Sequence, residues 1–153
     1  MQTHLPLPFA DGTYQFRLTL PGIAEVQRKT GVAFGLMLPL LTQGVYVDQD
    51  GNIAQGDPTA TGAWTPELVY EVLRQGLIGG KSGLVDGEPV EVTALVANAL
   101  IEAYVLPTPI YAHWITAVNV VRAFMVGFVP PVPQPAAAEE KRKPRKRSTT
   151  PRT

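Results

Sequence analysis

Residues Trp64 to Gly83, WTPELVYEVLRQGLIGGKSG, decide how this chain is read, because nearly every position has an assignable task. Thr65 suits an N-cap, Pro66 takes the first helical position where its missing N–H costs nothing, and Glu67 puts a carboxylate in the first turn. Leu68, Val69, Val72, Leu73 and Gly76 then recur at helical spacing and give one apolar face. Arg74 lies toward the C-terminal end, where a cation suits the helix dipole, and Gly79-Gly80 is the expected stop. A glycine such as Gly76 costs a helix interior roughly 1 kcal/mol against Ala. Its place on the apolar face implies a close approach by another helix. The segment is therefore expected to be the helix on which the others pack.

Upstream, Leu5-Pro6-Leu7-Pro8-Phe9 is broken by prolines and can be at most an edge strand. Asp11-Gly12 is a tight-turn dipeptide, and Tyr14 to Leu20 alternates apolar and polar residues. A small hairpin follows, with Tyr14, Phe16, Leu18 and Leu20 on one face. Pro21-Gly22 opens a helix to about Thr30, closed by Gly31. Val32 to Thr42 is apolar and reads as helix, bent or shortened by Gly35 and Pro39. Residues 43–63 are an exposed loop holding a second hairpin, Val45-Tyr46-Val47 against Ile53-Ala54.

Downstream, a glycine-rich connection leads to a helix from Pro89 to about Val105, with Val92, Leu95, Val96, Ala99 and Ala103 as its buried stripe. Pro107 and Pro109 end it. The last helix carries Ile110, Trp114, Ala117, Val118, Val121, Met125 and Phe128 on one face. Ile110 to Val129 is long enough to span a bilayer. His113, Asn119 and Arg122 interrupt it, however, and an arginine near a helix centre costs roughly 3 kcal/mol, so a bundle helix is expected and no membrane.

Cysteine is absent, which excludes disulfides, thiolate metal sites and cysteine nucleophiles. The zero formal charge hides a split: residues 1–138 carry net −5 and residues 139–153 net +5. The run Lys141, Arg142, Lys143, Arg145, Lys146, Arg147 follows a proline- and alanine-rich stretch that cannot build a core, so a disordered tail is expected. Such a tail can neutralise phosphates without sequence choice, dock an acidic surface, or only solubilise.

The Arg74-x-Gly76-Leu77-Ile78-Gly79-Gly80 helix end, the Phe16-Arg17-Leu18 strand and the phrase Leu20-Pro21-Gly22-Ile23-Ala24-Glu25-Val26-Gln27 carry a resemblance. Over about residues 11–127 the chain resembles the tail-assembly family of phages and gene transfer agents. That resemblance implies a chaperone holding tape-measure or tail-tube protein until the tube polymerises, in the cytoplasm of a bacterial host. The long insert at 43–63, the loop at 81–88 and the basic tail depart from the family's pattern.

Three other patterns are weighed and set aside. Gly79-Gly80-Lys81-Ser82 has the ending of a phosphate-binding loop, but Gln75 stands where the first glycine belongs and the loop follows a helix. Asp48, Asp50 and Asn52 open like a calcium loop, yet Ile53 replaces its glycine and Thr59 its bidentate glutamate. His113 has no carboxylate one turn away to orient it, and Glu88 and Glu91 read as helix-start carboxylates. No constellation for catalysis, cofactor or metal is present, which argues against an enzyme.

The expected fold is mainly α: a small bundle of about five helices (residues 21–128), an N-terminal β-hairpin (1–20) and a disordered basic tail (129–153). Gly76, Leu77, Ile78, Gly79, Gly80 and Trp114 are the structural or partner candidates. Tail proteins of a phage are the expected partners, with self-association as a further contact. The alternatives are a structural tail component retained in the particle and a nucleic-acid-binding accessory protein acting through the tail.

Overall fold

A two-residue turn at Ala10-Asp11, with Ala10 at φ 52, closes the first hairpin of β1 (His4–Phe9) and β2 (Gly12–Arg17). The computed structural model describes residues 2–43, 45–47, 53–56 and 63–128. Tyr14, Phe16 and Leu18 are buried, as alternation predicts, but Leu20 is exposed. The Thr19 hydroxyl accepts the Gly22 N–H at 3.1 Å and starts α1 (Leu20–Thr30), so the side-chain period changes from two to 3.6 before Leu20. Gly31, at φ 70, ends α1. The Gln27 side chain accepts the first N–H of α2 (Phe34–Leu41) at 2.9 Å, and Pro39 sits inside this short helix. At the other end of α2, the indole of Trp114 donates to Leu41 O at 2.7 Å, satisfying a carbonyl with no partner inside the helix. The expected second hairpin is present as β3 (Val45–Val47) paired with β4 (Ile53–Gly56).

The quoted stretch forms α3 (Pro66–Gly80), with the Thr65 hydroxyl accepting from the Leu68 N–H at 3.3 Å. Its glycines do other work than the sequence suggests. The helix runs through Gly79 and Gly80, and Lys81 at φ 65 closes it. A Cβ on Gly79 would stand 1.9 Å from Arg17 O, and one on Gly80 only 1.8 Å from Gln15 O. The glycine pair therefore lets the helix lie directly on the backbone of β2. At Gly76 a Cβ would meet Phe16 Cδ1 at 3.0 Å and Val120 Cγ1 at 3.1 Å, so a strand side chain closes this site together with a helix.

Residues after Lys81 correct the expected connection and long helix. They form a second sheet hairpin, β5 (Ser82–Val85) and β6 (Glu88–Glu91). Asp86 and Gly87, at φ 51 and 78, make a two-residue turn whose twist suits paired strands. Pairing of Thr13 with Leu84 and Tyr14 with Gly83 joins it to the first, giving one antiparallel sheet of order β1-β2-β5-β6. Among the described residues the fold is thus five α-helices with a four-stranded sheet and the separate β3-β4 hairpin, where only the N-terminal hairpin was expected to pack on the helices. Glu88 and Glu91 lie on a strand, not at a helix start.

The helix begins only at α4 (Ala94–Leu100), where the Thr93 hydroxyl accepts from the Val96 N–H, and continues as a π-turn over Ile101–Val105. Its buried side chains are Ala97, Leu100, Ile101 and Val105; Leu95, Ala99 and Ala103 face outward. The late start and the widened turn rotate the stripe away from the expected one. In α5 (Ile110–Val126), Trp114, Ala117, Val118 and Val121 are buried as expected, joined by Val120 and Ala123, but Met125 is exposed. Gly127 ends α5, so Phe128 leaves the helix and exchanges backbone hydrogen bonds with Gln2 (3.1 and 2.7 Å).

α3 is the central element: it touches β2, α1, α4 and α5, and its Leu68, Val69, Val72, Leu73 and Leu77 are fully buried. Each such side chain contributes about 1.5–3 kcal/mol by leaving water. The sheet's outer edges are finished differently. In a two-residue hairpin the closing pair is hydrogen-bonded, so the register turns the backbone nitrogens of His4, Pro6 and Pro8 outward on β1, and those of Pro89 and Glu91 on β6. Three of these five nitrogens belong to proline and carry no hydrogen.

Candidate functional surface

The partner candidates chosen from sequence sit inside or against the core. Gly76, Leu77 and Trp114 are buried, Ile78 packs on the core, and Gly79 and Gly80 are covered by β2. The structure uses all six for packing, with Ile78, Gly79 and Gly80 half-buried and Trp114 held against Leu41 of α2. The basic residues Lys141 to Arg147 and the calcium-like turn at Asp48 to Asn52 lie outside the described residues.

The polar centre of the described surface joins α1, α3 and α4. Glu71 Oε1 accepts from Arg74 Nη2 at 2.6 Å and from the buried Gln75 amide at 3.0 Å, with Lys29 Nζ at 3.4 Å. Arg74 also donates to Asn98 Oδ1 at 3.1 Å. Burial pushes the Glu71 carboxyl above its ordinary range, while the Gln75 hydrogen bond pulls it down. Desolvation and pairing thus oppose each other, and the cluster links α1, α3 and α4 through Lys29, Glu71, Arg74 and Asn98. It is internally satisfied, with no vacant donor set for a ligand.

His113 lies half-buried, its ring 6.2 Å from that of Phe9 in an edge-on arrangement. Thr108 Oγ1 is 2.6 Å from His113 Nε2 and also bonds Tyr104 O (2.8 Å) and Val105 O (3.0 Å). A hydroxyl has one proton; given to either carbonyl, it leaves Nε2 as the donor. Burial lowers the imidazole below its ordinary 6.5. The histidine thus closes the end of the π-turn. Among the described residues, no group of three His, Cys, Asp or Glu could hold a metal ion, and no helix is long and apolar enough to cross a membrane.

Apart from Leu20, Leu84 and Leu95, the large apolar side chains exposed among the described residues fall in two groups. The sequence of α2, FGLMLPLL, contains no polar side chain, yet only Met37 and Leu41 are buried and Leu36 is 55% exposed. The edge-on pair of Phe34 and Phe124, at 5.3 Å between centroids, ties α2 to the end of α5, where Met125 and Val126 are 46% and 58% exposed. A second group, Tyr104, Leu106 and Tyr111, lies at the corner between the π-turn and α5. Sequence reading missed the outer side of α2, because a helix that is apolar all round has no polar face to mark its orientation. No protein-family model, curated protein or solved structure matches this chain.

Proposed function

We propose that this protein is a phage or prophage tail-assembly chaperone that holds tape-measure or tail-tube protein during tail assembly. The resemblance supplies the partner class. The observation that supports the role is the exposed apolar side of α2 beside the end of α5, a surface suited to the apolar stripe of a partner helix. The proline-bearing edges disfavour the other common mode, addition of a partner strand to the sheet.

Co-expression with the phage's tape-measure or tail-tube protein tests this reading. The partner is expected to stay soluble, the complex to survive about 0.5 M salt because its anchors are apolar, and mature particles to lack the protein. The pair L36D and M125D should abolish that effect while leaving the urea midpoint near the parent's. Retained solubilisation in this pair would overturn the assignment of the surface. Stoichiometric recovery in purified particles would instead make it a structural tail component. Retention of nucleic acid alone, lost with salt and on deleting residues 139–153, would make it a nucleic-acid-binding accessory protein.

A further inference from the structure

We draw no further inference here: the strongest candidate, the exposed apolar side chains Leu36 of α2 and Met125 and Val126 at the end of α5, belongs to the surface already described, and nothing in the structure shows what covers it.

Discussion

Placing one methyl group at Gly80 tests how α3 is seated. The new Cβ of G80A would lie 1.8 Å from Gln15 O. An ordinary carbon–oxygen contact begins near about 3.3 Å, so helix and strand must part by roughly 1.5 Å. Neither side of this contact can rotate away, since the carbonyl is backbone of β2, set opposite Pro6 of β1 and one residue beyond the Tyr14–Gly83 pairing with β5. A gap of that size forfeits more than half of the dispersion contact between Phe16 and α3. Overpacking of side chains costs about 1–3 kcal/mol; with backbone as the obstacle, a loss of about 3–5 kcal/mol is expected, less the gain near 1 kcal/mol for Ala over Gly in a helix. Two other glycines calibrate the result. G76A meets side-chain atoms at 3.0 and 3.1 Å, which can yield, so its cost should be about 1 kcal/mol or less. G35A meets nothing within 4 Å and should raise stability by up to about 1 kcal/mol. Urea unfolding of the three variants should rank their midpoints G35A, then G76A, then G80A. A midpoint for G80A equal to the parent's would refute direct seating of α3 on β2.

Further outcomes follow from single residues. Lys81 closes α3 at φ 65, a conformation that glycine adopts freely, so K81G should raise the urea midpoint by the equivalent of about 1 kcal/mol; a fall would mean that the lysine side chain contributes more than its strain costs. The lowered imidazole of His113 means that the folded state binds fewer protons than the unfolded chain. Its contribution is complete above about 6.5 and declines as pH falls below 6.5 toward the lower folded value; H113Q should flatten the fall of urea midpoints below about pH 6.5, and an unchanged slope would exclude His113 as the source. W114F removes the 2.7 Å bond to Leu41 O and part of a fully buried ring, so a loss of about 2–3 kcal/mol is expected, read by circular dichroism during urea unfolding.

The anchor helix was legible because cap, proline and apolar spacing agree over Thr65 to Leu77, and agreement among independent local signals makes an element readable. The first hairpin was legible for the same reason. The β5-β6 hairpin has its own signal, Asp86-Gly87 between Val85 and Glu88, but Pro89 reads equally as a helix start, where the structure makes it an edge-strand residue. The π-turn had no signal at all. A five-residue widening changes which side chains of α4 reach the core without altering the type of any residue. Gly76 stands out in the sequence as a helix-interior glycine, but Gly79-Gly80 reads there as a plain helix stop; glycine records only that something comes close, and spacing does not say that it is a strand backbone. The exposed side of α2 was illegible for the opposite reason, since its composition is that of a core.

The sheet edges bear on how this protein behaves when crowded with copies of itself. Ordered aggregates grow by one chain docking on the outermost strand of another, and each added layer needs a regular row of free backbone hydrogens. β1 offers one such hydrogen, at His4, and the Gln2–Phe128 exchange already occupies the residue two before it. β6 offers one at Glu91, beside the carboxylates of Glu88 and Glu91. The β1-β2-β5-β6 sheet so finished is a poor seed for a fibre, because neither outer strand offers a regular row of hydrogens for edge-to-edge pairing.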